Sequence, residues 1–236
     1  MFNKDALEYL VDLGVKRQEI KKIEGFNYST ERLHRITEPK AAALETNSLT
    51  SLVDYVNSRH VDLEFQDLMI HVQSPTRVAL YGALDKNRER ECFMMCKAII
   101  PDSIRYDVFL DPEKFNIMLQ SAFVDLGDRA ALLKVTGSIK DENITEVGDN
   151  GVSQGVKIKT GVASINEVLV PNPVTLTPYR SFQEIEQVES KFIFRMQSGP
   201  RAALFEADGN MWRNEAMIRI KEYLKKNVPE EIDVLG

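Results

Sequence analysis

Arg180 and Arg201 have the surroundings that come nearest to a ligand site. Arg180 follows Thr177-Pro178-Tyr179, and Arg201 follows the turn signal Ser198-Gly199-Pro200. A guanidinium held beside a turn offers planar, fixed donors that fit phosphate oxygens. Together they are candidate ligand-binding residues for a small anionic signal. The commoner fate of a loop arginine is plain exposure to solvent.

Other reactive side chains occur without the spacing that chemistry needs. Cys92 and Cys96 are the only cysteines, in Arg90-Glu-Cys-Phe-Met-Met-Cys-Lys97. Read as a strand, this places them roughly 13 Å apart, too far for a disulfide. Two buried free thiols are the expectation, which suits a reducing compartment. His34, His60 and His71 are the only histidines, and none lies in HxxxH or HExxH or beside the cysteines. No GxSxG frames a nucleophilic serine. Glu184 and Glu186 read as neighbours on one solvated strand face, and Asp102, Asp107 and Asp111 form a second acidic group. The phosphate patterns GxxxxGK[ST] and GxGxxG do not occur. Gly148-Asp-Asn-Gly-Val-Ser-Gln-Gly155 lies between two polar strands and reads as a hairpin turn. A phosphate cradle would want a helix to follow. No catalytic residue, metal set or cofactor is assigned. A nucleotide-processing enzyme without a recognised motif is the alternative to a binding protein.

Composition narrows the class. The chain has 236 residues, 43% of them apolar, with a net charge of −6 from 30 basic and 36 acidic residues. That is ordinary globular composition. Bases are matched by acids along the chain, so general affinity for nucleic acid is not expected. A role in DNA replication or recombination is disfavoured on the same ground. No run approaches eighteen apolar residues, so no membrane span is expected. The start, MFNKDALEYLVDL, has acids where a signal peptide is basic. A cytoplasmic protein is the expectation.

The elements follow from periodicity. A short helix to Leu13 carries Ala6, Leu7, Leu10 and Val11 as its stripe, with Asn3 as cap and Gly14 as stop. Gln18–Tyr28 reads as a hairpin around Gly25. Short strands are expected at Arg32–Ile36 and Ala43–Glu45. Asn47-Ser48-Leu49-Thr50 starts a helix that ends near His60, with Leu49, Leu52, Val53 and Val56 inward. Asp67–Gln73, Thr76–Tyr81 and Glu89–Ile100 form an antiparallel meander. Asp111-Pro112 opens a helix with Phe115, Met118, Leu119, Ala122 and Phe123 inward, and Asp128 caps a second. Glu142–Gly161 reads as a polar hairpin. Val168–Val174 reads as a linker because of its prolines.

The most regular stretch is Pro178–Val228. Phe192, Phe194 and Met196 share a face at period two, Arg201–Ala207 returns as a second strand, and Asp208-Gly209-Asn210 supplies turn and cap. Trp212, Ala216, Ile220 and Tyr223 form the stripe of a helix over about Met211–Asn227. The expectation is that this helix covers its own hairpin, with Trp212 near Phe192 or Phe194. The tail after Val228 is expected to be mobile.

The fold class expected is α+β: mainly antiparallel sheets covered by helices, with a C-terminal β-hairpin and amphipathic helix. One domain over 1–236 is expected, with a helix-rich and meander part to 140 and a hairpin part from 141 as its subdivision. The strands Glu89–Ile100 and Glu142–Thr160 are expected to leave open edges. Such edges pair most cheaply with a second copy, so a homo-oligomer is expected.

Three tracts carry a resemblance: FNIMLQSAFVDLGDRAALLKVTGSIK, GDNGVSQGVKIKTGVA and ESKFIFRMQSGPRAALFEADGNMWR. They resemble proteins of phages and prophages of Gram-positive bacteria. A looser likeness extends to the uncharacterised YfdQ-type phage family. It rests on a helix like Leu52–Asn57, a meander, and a Pro178-Tyr179 segment before a hairpin and final helix. The resemblance implies phage origin and expression in a bacterial cytoplasm. It implies no activity and no site residue. The function expected is an accessory protein that acts by non-catalytic binding, countering host defence by sequestering a nucleotide signal or a defence protein.

Overall fold

The computed structural model describes residues 4–14, 20–29, 35–36, 39–58, 63, 67–137, 144–149, 154–159, 165–170, 172–197 and 201–236. Asn3, His34, His60 and Ser198-Gly199-Pro200 lie outside the described residues. The chain divides into two compact units, Met1–Ala41 and Ala42–Gly236.

The first unit holds α1 (Lys4–Gly14) and the strands β1 (Ile20–Ile23), β2 (Phe26–Ser29) and β3 (Arg35–Ile36). The strands pair antiparallel in chain order. Glu24 and Gly25 both have positive φ, 50° and 84°. Two such residues make the mirror-image turn that matches the twist of a tight hairpin, as Gly25 implied.

The second unit opens with β4 (Leu44–Thr46) and α2 (Leu49–Asn57). The Ser48 hydroxyl caps α2 by accepting from the Ser51 amide at 3.3 Å. Its four apolar residues recur at helical spacing, and all four are buried. Burial of each is worth about 1.5–3 kcal/mol. The meander follows as β5 (Met69–Ser74), β6 (Arg77–Leu84) and β7 (Arg90–Lys97), antiparallel as expected. The Asp85 carboxylate closes its second turn by accepting from the amides of Asn87 and Glu89.

Two expectations about edges are corrected here. β4 pairs parallel with β7, from Leu44 opposite Met94 to Thr46 opposite Cys96, so the edge expected at Glu89–Ile100 is covered over that part. The tail is fixed, because Asp233–Leu235 forms a strand parallel to β5 with Val234 buried. Alternating apolar residues in so short a segment carry too little signal to be told from a frayed end.

Next come α3 (Pro112–Ala122), α4 (Arg129–Gly137), β8 (Ile144–Asp149), β9 (Gln154–Lys159), β10 (Ile165–Val170), β11 (Val174–Leu176), β12 (Ser190–Gln197), β13 (Arg201–Glu206), α5 (Met211–Asn227) and β14 (Asp233–Leu235). The Asp111 carboxylate caps α3 by accepting from the Lys114 amide at 2.9 Å, with Pro112 in the first turn. β8 and β9 form the expected polar hairpin. A third strand, β10, pairs with β9 and includes Val168–Val170, so that part of the expected linker is sheet. Pro173 comes after the strand, where no ladder bond is lost.

α5 does not cover its own hairpin. Ile220 and Leu224 pack with α2 and with Ile70, Val72, Val78 and Leu80 of the five-stranded sheet, order β14-β5-β6-β7-β4. The sheet β11-β12-β13 is covered instead by α3 and α4, through Phe115, Met118, Leu119 and Leu132 against Phe192, Phe194 and Leu204. That core joins residues on both sides of 140.

The segment 107–128 also seals both edges of that sheet. The amides of Asp107 and Leu110 donate to Leu204 and Ala202 of β13. Past α3, Val124 donates to Thr177, and Asp128 and Thr175 exchange two bonds beside β11. Asp128 therefore ties down a strand edge, and its side chain is not spent on α4. Gly127 makes this approach possible: at φ 58° a Cβ would lie 2.4 Å from the Thr175 carbonyl oxygen.

Candidate functional site

Arg180 lies in the connection between β11 and β12, and its side chain is buried. Nη1 donates to Glu206 Oε1 at 2.8 Å, at the end of β13. Nη2 donates to the Ser190 hydroxyl, at the start of β12. That hydroxyl donates in turn to Asp208 Oδ2 at 2.6 Å, and the Asp208 oxygen lies 3.9 Å from Nη2. Asp208 was read as turn chemistry. One of its oxygens does hold the Asn210 amide, at 3.0 Å, and the other faces the guanidinium.

Aromatic rings complete the surroundings. Arg180 Cζ lies 3.9 Å from the Trp212 ring centroid and 5.8 Å from that of Phe192. Trp212 is half-buried and reaches the sheet through this cation, with Arg213 5.4 Å from its ring. Tyr106 stacks on Phe192 at 5.4 Å. Burial pushes the Tyr106 phenol above its ordinary range, and the nearby guanidinium opposes that only in part. Burial also lowers the Arg180 pKa, against the attraction of Glu206 and Asp208. Arginine nevertheless keeps its charge.

The loop holding Arg180 is built on Gln187. Its side-chain oxygen accepts from the amides of Arg180 and Ser181, and its nitrogen donates to the carbonyls of Phe182 and Ile185. A buried amide with these bonds stands in for a missing strand pair.

Chemically, the cluster is a neutralised cation. Two carboxylates already surround the guanidinium, so a further anion there would compete with Glu206 and Asp208. Tyr106 Oη, Arg180 Nε and Trp212 Nε1 are buried without a hydrogen-bond partner among the described residues.

Arg201 is elsewhere. It opens β13 opposite Gln197 and is exposed, at the far end of the strand from Glu206. Five residues of strand separate the two ends by roughly 17 Å. The structure therefore does not bring Arg180 and Arg201 together.

The acidic pairs find separate duties. Glu184 lies on the loop, not on a strand. Its carboxylate accepts from the Ser48 hydroxyl at 2.7 Å and the Thr50 amide at 3.2 Å, at the start of α2. Burial raises its pKa, but these hydrogen bonds outweigh that and hold it below the ordinary carboxylate range. Glu186 is exposed, 3.8 Å from Arg219. Cys96 is buried and Cys92 half-buried, both as free thiols. His71 is exposed on β5. Among the described residues no group of His, Cys, Asp or Glu could hold a metal ion, and no helix is long and apolar enough to cross a membrane.

Comparison with protein-family models, with curated proteins and with solved structures gives no match.

Proposed function

We propose that the chain is a phage accessory protein that acts in the bacterial cytoplasm by holding a partner stoichiometrically, the partner being a host-defence protein. The sequence tracts quoted above support the phage origin. The observation that carries the choice of partner is the engagement of Arg180 by Glu206, Ser190 and Asp208. A cation so balanced offers little to a nucleotide phosphate. Sequestration of a nucleotide signal is the second reading, and the exposed position of Arg201 favours it.

Phage challenge of bacteria with and without a defence system tests the first reading. The expected result is protection of the phage only when the chain accumulates to the level of the defence protein, with the two recovered at a fixed ratio. Calorimetric titration with cyclic di- and trinucleotides tests the second: binding heat is lost in Arg201→Ala at unchanged Tm. A chain that alters phage survival in no host, and gives no heat, overturns both.

A further inference from the structure

A cleft of about 350 Å³ opens beside the start of α2, lined by Asn47, Ser48, Ile99, Phe182, Gln183 and Glu184. Three stretches of the second unit meet there: the residues before α2, the chain leaving β7, and the loop between β11 and β12. The volume lies at the small end of the range that ligand sites use.

Glu184 is the one charged residue of the lining. Its Oε1 accepts from the Ser48 hydroxyl at 2.7 Å and the Thr50 amide at 3.2 Å. Oε2 makes no hydrogen bond among the described residues, yet it is not one of the atoms buried without a partner, so it stands open to solvent. No Lys or Arg pairs with Glu184 among the described residues. One oxygen therefore fixes the carboxylate and the other is left for a ligand. The hydrogen bonds that lower its pKa keep it charged at neutral pH.

The rest of the lining narrows the ligand. Ser48 gives its hydroxyl proton to Glu184, and Asn47 Nδ2 donates to the Lys97 carbonyl at 2.8 Å, so both groups are already engaged as donors. Ile99, 67% exposed, and the buried Phe182 add apolar surface. An open isoleucine beside a fixed carboxylate matches a cationic head on an apolar stem. The positive end of α2 opposes a cation here, but its charge of roughly one half is smaller than the full charge of Glu184.

We infer that this cleft seats a Lys or Arg side chain of a partner protein, with the head on Glu184 Oε2 and the stem along Ile99. This rests on the protein-partner reading proposed above and gives that reading a contact. Free polyamines carry the same chemistry, so the probes below separate the two sources.

NMR titration of the full chain, followed at the amides of Ser48, Thr50 and Glu184, tests this. The probes are arginine, lysine and norleucine, each capped at both ends, and spermidine. Saturable shifts at millimolar concentration are expected with capped arginine and lysine. Norleucine has the stem without the head and should bind at least about tenfold more weakly, the usual worth of a hydrogen bond to a charged group. Glu184→Gln should weaken capped arginine by at least about tenfold as well. Ile99→Lys sets the chain's own ammonium beside Glu184, and should abolish the shifts at unchanged Tm and remove the protection of phage. No saturable shift with capped arginine or lysine, or equal binding of norleucine, overturns the inference. So does an Ile99→Lys chain that protects phage like the wild type. Spermidine that binds more tightly than either capped amino acid would make the ligand a polyamine and overturn the protein source. The two failures are distinguishable: a wild-type chain that protects phage in no host overturns the defence reading and the partner with it, whereas the amide shifts report on the charge of the cleft by themselves.

Discussion

The Arg180 guanidinium carbon stands 3.9 Å from the centre of the Trp212 ring, so the first turn of α5 is fastened to its preceding hairpin by a cation. The rest of α5 leaves for the other sheet, where Ile220 and Leu224 are buried. Arg180 therefore works where a large apolar side chain was expected.

Removing it exposes the cost. Arg180→Met should destabilise the protein by about 3–5 kcal/mol, because Glu206 and Asp208 are left partly buried without their partner. Arg180→Lys should recover little, since an ammonium cannot bond Glu206 and Ser190 while lying flat on a ring. A double-mutant cycle with Trp212→Ala should give a coupling of about 1–2 kcal/mol. Urea titration of the four proteins measures it, and a coupling near zero would mean the stacking contributes nothing.

Glu184 makes stability depend on pH. Its folded pKa is depressed, so its contribution is present above the ordinary carboxylate range and is lost as pH falls through the lowered value. Glu184→Gln should cost about 0.5–1 kcal/mol at neutral pH, the usual worth of an anion at a helix start. The difference from wild type should vanish at the acid end of that window. Melting curves across the acid range check this, and a pH-independent difference would count against it.

Two glycines with positive φ should respond differently to alanine. Gly127→Ala meets the Thr175 carbonyl at 2.4 Å as well as unfavourable φ, whereas a Cβ at Gly25 meets nothing within 4 Å. Gly25→Ala should cost only the backbone term, about 1 kcal/mol. Gly127→Ala should cost at least about 3 kcal/mol, because backbone must shift as well. Thermal melts of both variants make the comparison.

The thiols should differ in reactivity. Burial pushes the Cys96 thiol up to about 12, with Glu184 and Cys92 adding to the rise. Cys92 is raised too, chiefly by burial, but is half-buried and donates to the Met94 carbonyl at 3.6 Å. Iodoacetamide on the native protein should label Cys92 slowly and Cys96 only after unfolding. Peptide mass spectrometry reads the order, and early labelling of Cys96 would contradict its place in the core.

Local signals were legible. Asn47-Ser48-Leu49-Thr50 and Asp111-Pro112 marked helix starts, and Leu49, Leu52, Val53 and Val56 marked a buried face, because caps and periodicity act within a few residues. What a face packs against was not legible. The stripe of α5 has the same pattern whichever sheet it meets, and the nearer sheet in sequence was already covered by α3 and α4. The parallel strands β4 and β14 were hard to read for a similar reason, since their partners lie far away in the chain. At the candidate site, Arg180 was visible as an arginine beside a turn. Its burial depends on Glu206, Asp208 and Trp212, and no local pattern ties those residues to position 180.

The wrapping of segment 107–128 around the sheet β11-β12-β13 bears on folding speed. Its bonds to Thr175, Thr177, Ala202 and Leu204 each close a long loop of chain before any of them is rewarded. None of that sheet's edges can be sealed by a neighbour in sequence. This half of the second unit should therefore assemble late, after the locally connected meander, and set the slow phase of refolding.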